Sequence, residues 1–349
     1  MKPTVVYLFN GSRQGILEKI KLGEYPHTGF WGMSRLEKYG VDATYLELEQ
    51  FYPGRVCKWM RRHLPIYFIH LPLFFKLFSF DIVYTSSAFG TQLVRSLWPG
   101  RKPLWVMQDF SITGILGTEK TFKQKLFRFM VRRSAGIVTV GKREAELLKS
   151  RFPEMADRIR YITFGTDLSF FTPQQVPEEG HVIAVGFDPD RDWKTLVEAS
   201  QGLSARVIIA TRPQRVAHLL PLPPNVELKT FTPLELVQAY AKASVVVVPL
   251  DTSKGINDAM GCSTLFEGMA MGKAVVATRT HTLETYVDGT NGVLVPEGDA
   301  PAMRAAIEAL LASPQKRKEL GQNAKTYAAA NLDDDKLAGE LAKFFIKLL

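Results

Sequence analysis

Short runs of apolar, β-branched residues alternate with longer segments of helical periodicity along the whole chain. Residues 245–248 read Val-Val-Val-Val, a pattern typical of parallel strands that helices cover on both faces. Alternating strands and helices predict an α/β fold of doubly wound parallel sheets. The predicted strands are residues 4–9, 43–48, 81–85, 103–107, 136–140 and 160–163 in the first half, and 182–185, 206–210, 226–228, 245–249, 274–277 and 293–295 in the second.

The strand–helix pattern restarts near residue 181, after a loop of proline, glutamine and glutamate at 172–180. We therefore predict two Rossmann-like domains, 1–170 and 171–334, with a final helix at 335–349 that packs back on the first. Helices at 301–312 and 314–331 are predicted before it, each opened by a proline. Two such domains usually place their ligand loops at a shared central cleft.

Composition narrows the class of protein. Of the 349 residues, 46% are apolar and 23% are charged, as in soluble globular proteins. Two distant cysteines and six scattered histidines predict neither a disulfide framework nor a metal site. Prolines, a histidine and a lysine interrupt the most apolar stretch, 64–80, and the first apolar run is too short for a signal peptide. We expect a cytoplasmic protein that needs no metal or other cofactor.

The positive charge is concentrated in the first half. Residues 1–160 hold 26 Lys/Arg and 13 Asp/Glu, a net of +13, whereas the rest of the chain has a net of −4. Such asymmetry favours an anionic partner for the first half, which could be a membrane surface, a nucleic acid or an acidic glycan.

Basic and aromatic side chains are mixed in residues 55–76, which hold five Lys/Arg and no acid. This composition suits the inner, anionic face of a membrane, on which the protein would lie peripherally. It equally suits a pair of core helices with a solvated basic end. The residues expected at a membrane or acceptor surface are Arg55, Lys58, Trp59, Arg61 and Arg62.

The most informative segment is 261–278, which begins Gly-Cys-Ser-Thr-Leu-Phe-Glu and follows a predicted strand and a polar loop. Ser263 or Thr264 is expected to cap a helix here, with Glu267 in its first turns. Free amides at a helix start suit a diphosphate. A carboxylate one turn later can accept hydrogen bonds from a ribose diol. Taken alone, the pattern more often marks a capped helix with a solvated glutamate.

With three further segments in the same order, 261–278 resembles the donor-binding signature of the retaining glycosyltransferases of family 4, which have the GT-B fold. The segments are Phe-Gly-Thr-Asp at 164–167, the strand and helix at 182–199, and the region 283–299. The resemblance covers about residues 160–300 well and the first half loosely. It implies transfer of a hexose-type sugar from a UDP- or GDP-sugar to a hydroxyl of a glycan, lipid or lipid-linked acceptor. The implied setting is the synthesis of cell-surface polysaccharide or glycolipid.

The resemblance also assigns a donor site. Glu267 corresponds to the second glutamate of the family's paired motif and would hold the ribose. Ala259 stands where the first glutamate is expected, and the adjacent Asp258 is its candidate substitute. The other donor-binding positions implied are Gly261, Cys262, Ser263 and Thr264 at the sugar and phosphates, Gly186 in the first loop, and Thr211, Arg212 and Phe231 at the base.

A cation near the diphosphate is a further implication, since negative charge develops there as the glycosidic bond breaks. Phe187 stands where an arginine is common in the family, so Arg191 or Lys194 would take this catalytic role. The alternative is that both belong to a solvated helix start.

In the first half, Gly29 and Gly32 flank Phe-Trp where the family has a glycine-rich loop near the donor phosphates. Gln108 stands where many relatives have a histidine, so a proton-handling role would pass to Asp109 or to the substrate. The structural alternatives are a helix-capping turn for the glycines and a capping carboxylate for Asp109.

Other functions stay open at this point. An inverting transferase or a sugar-nucleotide epimerase could use the same fold. The departures at Ala259, Phe187 and Gln108 also fit a paralogue that binds without catalysis. A nucleic-acid-binding protein would exploit the basic half, but the chain contains no recognised nucleic-acid motif and we expect no such partner.

Overall fold

The computed structural model describes residues 2–110, 112–118, 120–253, 255 and 259–349. The chain divides into two compact units. The first comprises Met1–Lys21, Gly29–Thr163 and Asp335–Leu349, and the second comprises Leu22–Thr28 and Phe164–Asp334. The division after Thr163 precedes the boundary predicted at residue 170. Thr166 pairs with Asp333 in an isolated β-bridge, which places the segment after Thr163 with the second unit.

The first unit is built on a six-stranded parallel sheet in the order β2-β1-β3-β4-β5-β6. Its strands are Thr4–Leu8 (β1), Asp42–Tyr45 (β2), Ile82–Thr85 (β3), Leu104–Asp109 (β4), Gly136–Thr139 (β5) and Ile159–Tyr161 (β6). The α-helices are Ile16–Lys21 (α1), Gly54–His63 (α2), Phe89–Leu97 (α3), Ile112–Leu116 (α4), Phe122–Arg133 (α5) and Lys142–Arg151 (α6). The 3-10 helices are Met33–Tyr39, Leu48–Gln50, Ile66–Phe68, Leu71–Ser79 and Pro153–Arg158, with His27–Phe30 at the boundary between the units.

The second unit repeats this architecture with the order β12-β11-β10-β7-β8-β9. Its strands are His181–Val185 (β7), Val207–Ala210 (β8), Val226–Lys229 (β9), Ala243–Val248 (β10), Ala274–Thr278 (β11) and Val293–Val295 (β12). Its helices are Trp193–Ser200 (α7), Pro213–Val216 (α8), Pro233–Lys242 (α9), Cys262–Ala270 (α10), Ala300–Ala312 (α11) and Pro314–Asn331 (α12), with short 3-10 turns at Ala217–Leu219 and Leu283–Thr285. The predicted pair of doubly wound parallel sheets is confirmed.

Local sequence explains where the helices begin. The Thr232 hydroxyl accepts from the Glu235 amide while Glu235 reaches back to the Thr232 amide, so a capping box starts α9. Ser313 caps α12, whose first residue is Pro314, where a missing N–H is tolerated. The cap at Ser313 explains why the predicted start of α12 at residue 314 matches the observed one.

The last helix, Asp334–Leu348 (α13), contributes to the core of the first unit. Leu341 and Phe345 are fully buried there beside β1 and β3. Gly32, in the left-handed conformation, lies so close to the backbone of Ala338 that a side chain would press on this helix. Among the described residues, no helix is long and apolar enough to cross a membrane.

Both sheets reverse their strand order beside their first strand. In the first unit β1 lies between β2 and β3, and in the second β7 lies between β8 and β10. The loops after two neighbouring strands diverge at such a point and leave a crevice at the carboxyl edge of the sheet. The candidate sites are therefore expected after β1 and β3 in one unit, and after β7 and β10 in the other.

We predict that Gly321→Ala destabilises the protein although alanine favours helices by about 1 kcal/mol over glycine. Gly321 packs against the carbonyl of Gly272, and an added methyl group would overlap that oxygen. Overpacking of this kind typically costs about 1–3 kcal/mol, so the melting temperature should fall. Gly54→Ala, at a helical glycine where an added methyl group would meet no other heavy atom within 4 Å, is the control and should leave it unchanged or higher. Equal melting temperatures for the two variants would contradict this packing.

Candidate functional site: a buried arginine and a glutamate at the second switch point

The loops after β7 and β10 meet in the second unit. Arg191 and Leu250 form an isolated antiparallel β-bridge, and the Asp251 amide donates to the carbonyl of Asp190 at 2.9 Å. The loop after β7 then leads into α7, and the loop after β10 leads into α10. This places the two segments singled out in the sequence at the crevice that the strand order creates.

Arg191 supplies a cation to this crevice. Its side chain is 4% exposed, and Nε donates to Asp188 at 2.9 Å while Nη2 donates to the Thr264 hydroxyl at 3.2 Å. The Thr264 hydroxyl in turn donates to the carbonyl of Val185 at 3.0 Å. Nη1 is buried and has no hydrogen-bond partner within the part of the chain that the structure describes. One donor of a fixed cation therefore remains for an anionic ligand.

Gly186 makes room for this arginine. A Cβ atom on Gly186 would overlap the side chain of Arg191, which lies directly over the glycine backbone. The sequence assigned Gly186 to the donor site, and its position beside Arg191 gives it a supporting role there. Lys194 does not lie with Arg191 in the crevice, because its side chain is 72% exposed and lies 3.9 Å from Glu198 on the same helix.

The start of α10 differs from the sequence prediction. The helix begins at Cys262 after Gly261, which is the N-cap residue with φ of 76°, and no side chain caps it. The prediction that Ser263 or Thr264 caps the helix is therefore wrong. Leu250 and Val248 leave no space for a Cβ at Gly261, so glycine is required by both conformation and packing.

This arrangement leaves amides available. Ser263 is exposed and Thr264 is buried in the first turn, and their backbone N–H groups have no partner among the residues described here. Cys262 is buried, and its amide already donates to the carbonyl of Ala259 at 3.2 Å. A helix start with free N–H groups next to a buried guanidinium is suited to a phosphate. Asp258 lies outside the described residues.

Glu267 lies further along α10 and is partly buried. The hydroxyl of Tyr240, which is completely buried, donates to Glu267 Oε2 at 2.8 Å. Burial raises the pKa of Glu267 to about 7, although the Tyr240 hydrogen bond and the charge of Arg191 both act to lower it. The carboxylate is thus held in place by a tyrosine and retains an oxygen for a further donor.

The remaining donor-side positions follow β8 and β9. Thr211 is fully buried, and its hydroxyl has no partner among the described residues, whereas Arg212 is exposed. Phe231 lines a cavity of about 850 Å³ together with His181 and Arg206. We call Arg191, the Ser263 and Thr264 amides and Glu267 the Arg191 group. Glu267 and the start of α10 do not line that cavity, so the structure does not bring Phe231 to the Arg191 group. We place the site at the Arg191 group because the free amides and the free Nη1 lie there.

In the first unit, Asp109 is buried at the end of β4 and its Oδ1 accepts from the Ile112 amide at 2.6 Å. This is the capping geometry given as its structural alternative, and a catalytic role stays a prediction. Between Gly29 and Gly32, Trp31 adopts φ of 56°, and it is a non-glycine residue in the left-handed region. Such conformations cost of order 1–3 kcal/mol and are frequent at ligand-binding segments.

A cavity of about 150 Å³ occupies the switch point of the first unit. The loops after β1 and β3 supply Asn10 and Ser86, the end of β4 supplies Gln108, and the strained Trp31 forms a wall. Arg13 lies over the ring of Phe9 at 4.7 Å. An aromatic wall with hydroxyl and amide groups suits a polyhydroxylated ligand.

The predicted membrane or acceptor surface falls on α2. Arg55, Lys58 and Arg62 are exposed, and Trp59 is 59% exposed. Arg61 is not available in the same way, because it makes a two-pronged pair with Glu49 at 2.9–3.0 Å and donates to the carbonyl of Asn10. Membrane docking through α2 stays a prediction.

No cluster of three or more His, Cys, Asp or Glu side chains that could hold a metal ion occurs among the described residues.

Part of the second unit matches a known family model. Residues 182–313 match the family model of the glycosyl transferases group 1, and this range contains the whole Arg191 group. The chain is 37% identical over 152 residues to a D-inositol 3-phosphate glycosyltransferase of Corynebacterium diphtheriae. The aligned residues cover 41% of this chain and 32% of the relative. It is 32% identical over 88 residues to an uncharacterised glycosyltransferase of Methanocaldococcus jannaschii. These 88 residues cover 25% of this chain and 22% of that protein. The aligned part thus spans about a third or less of these relatives.

Solved structures extend the likeness to the whole chain at the level of fold. A sucrose-phosphate synthase from Thermosynechococcus elongatus matches with a TM-score of 0.70 and 18% identity, covering 99% of both chains. HepE from Anabaena, solved in complex with UDP-glucose, matches with a TM-score of 0.64 and 15% identity, covering 99% of this chain and 100% of that one. The chain has the GT-B fold.

Four residues of the two sites were not predicted from the sequence: Asp188, Tyr240, Asn10 and Ser86. Tyr240 is 27 positions from Glu267, and only the packing of α9 beside β10 brings the two together. Asn10 and Ser86 each follow a predicted strand directly, which is a signal that the sequence did offer.

We predict that replacing Glu267 by glutamine stabilises the ligand-free protein in a pH-dependent way. The folded-state pKa near 7 lies above the unfolded value near 4.5, so the folded state binds more protons between these pH values. Wild-type stability is therefore lost as the pH rises through this window. The gap to Glu267→Gln should be small below pH 4.5 and reach on the order of 3 kcal/mol above pH 7, at about 1.4 kcal/mol per pKa unit.

Urea unfolding of both proteins across this pH range measures the gap. Glu308→Gln, on the exposed face of α11, is the matched control. A gap between wild type and Glu267→Gln that does not change with pH would show that Glu267 is not buried as described.

Proposed function

We propose that the chain is a retaining glycosyltransferase of family 4 that uses a UDP- or GDP-sugar as donor. It would transfer a hexose-type sugar to a hydroxyl of a glycan, lipid or lipid-linked acceptor, in the synthesis of cell-surface polysaccharide or glycolipid. The observation that carries this proposal is the group formed by Arg191, the start of α10 and Glu267 within the glycosyl transferases group 1 domain.

The donor binds by the groups that remain free. The diphosphate accepts hydrogen bonds from the amides of Ser263 and Thr264 and from Nη1 of Arg191. Glu267 accepts from the ribose hydroxyls with the oxygen that Tyr240 leaves available. These donors stabilise the charge of the diphosphate, and the proposal assigns no role to a metal ion. The Anabaena structure in complex with UDP-glucose supports a uridine donor as the first to test.

The reaction needs little from ionisable side chains. The bond between the anomeric carbon and the phosphate oxygen breaks, and the acceptor oxygen attacks from the same face, which retains the configuration. The acceptor proton passes to the departing phosphate oxygen. Arg191 stabilises the negative charge that accumulates on this oxygen, and preorganised donors of this kind supply most of the catalytic effect.

The acceptor is assigned to the first unit. The cavity with Trp31, Asn10, Ser86 and Gln108 offers an aromatic surface for a sugar or polyol ring and hydrogen-bonding groups for its hydroxyls. None of these four groups is a strong base, which agrees with a mechanism in which the leaving phosphate takes the proton.

We predict that one of UDP, GDP, ADP, CDP and dTDP raises the melting temperature of the wild type, because a ligand bound only by the folded state stabilises it. Glu267→Ala should lose at least half of that rise, since the ribose contact is removed. Glu308→Ala, which changes an exposed glutamate on α11, is the control and should keep the full rise. No rise with any nucleotide at millimolar concentration would contradict the donor site.

A binding protein without catalysis is the second candidate, favoured by Ala259 and Phe187 at positions where relatives carry charged groups. The two functions differ in one observable. A transferase releases the free nucleoside diphosphate from its sugar nucleotide in the presence of an acceptor, and a binding protein gives the same thermal shift without this release.

A further inference from the structure

A pocket of about 340 Å³ lies in the first unit at the amino edge of its sheet, opposite the edge that carries the Trp31 cavity. It is formed by the segments that lead into β4, β5 and β6, together with the end of α3. Four arginines line it, and none of its described lining residues is an aspartate or glutamate. The four are Arg95, Arg101, Arg133 and Arg158.

Arg95 forms the floor of this pocket. It is 8% exposed, and its guanidinium donates to the carbonyls of Trp98, Gly100 and Pro103 at 3.1–3.4 Å. Its hydrogen bonds within the described residues are all to carbonyl groups, so no carboxylate compensates this buried charge. A buried cation is costly without a counter-charge, which favours an anion close to it.

The other three arginines also have no carboxylate partner among the described residues. Arg158 is partly buried and donates to the carbonyl of Ser134 at 3.4 Å. Arg133 lies 5.5 Å from the ring of Phe129, and Arg101 is exposed at the rim. Several guanidinium groups around one pocket without carboxylates favour a phosphate, whose oxygens arginine binds through paired hydrogen bonds.

We propose that this pocket binds the phosphate group of a phosphorylated ligand, at a site separate from the one assigned to the sugar nucleotide. Its volume exceeds that of a phosphate ion, so part of the carrier enters with the phosphate. Exposed rings adjoin the rim, since Trp98 lines the pocket and packs edge-on against Phe74 and Phe75, and Phe75 is 73% exposed. These rings favour a carrier with an apolar part, as in a phospholipid, over a soluble phosphate ester.

Two arms test the pocket with the full-length chain. The first is co-sedimentation at low salt with vesicles of phosphatidylcholine, with and without phosphatidylglycerol. The second is the thermal shift caused by inorganic phosphate and by glycerol 3-phosphate. Each is measured for the wild type, for Arg101→Ala with Arg133→Ala, and for Lys123→Ala with Lys125→Ala. The last double variant removes the same charge from exposed positions on α5.

Binding to the anionic vesicles that falls roughly tenfold or more only in the Arg101/Arg133 variant supports the pocket and assigns a lipid-borne phosphate. A thermal shift by a soluble phosphate that only this variant loses, without vesicle binding, supports the pocket and assigns a soluble ligand. The proposal is overturned if neither probe binds, or if the Lys123/Lys125 variant loses as much binding as the pocket variant.

Discussion

The buried guanidinium of Arg191 determines the local structure of the second unit's switch point. Removing a guanidinium from water costs several kcal/mol, and here Asp188 and Thr264 compensate on two sides. The consequences extend to the neighbouring residues, because Gly186 must lack a side chain and Thr264 must carry a hydroxyl that also reaches Val185. A change in any of these residues would shift the donor that remains on Nη1.

Charge explains how one crevice can hold both a diphosphate and a ribose. The cation and the free amides lie at the start of α10, whereas Glu267 lies beyond its first turn. Burial raises the pKa of Glu267 to about 7, so the carboxyl is partly neutral until donors reach it. Hydroxyl groups of a ligand would favour its ionised form, and Tyr240 keeps it oriented.

Most of the fold and part of the candidate site could be predicted from the sequence. Apolar runs such as 245–248 are fully buried strands, and the Ser313-Pro314 pair marks the observed start of α12. The start of α10 was misplaced because serine and threonine are commoner caps than a left-handed glycine. The partnership of Tyr240 with Glu267 depends on how two helices pack on the sheet, which no local pattern records. Arg191 and Lys194 were equal candidates until burial separated them.

The most direct test of the donor site is a crystal structure of the protein with UDP or GDP bound. If the donor site is correct, diphosphate oxygens lie within hydrogen-bond distance of Arg191 Nη1 and of the Ser263 and Thr264 amides, and a ribose hydroxyl contacts Glu267. A nucleotide bound instead in the cavity lined by His181 and Phe231, with no contact to Arg191, would contradict it.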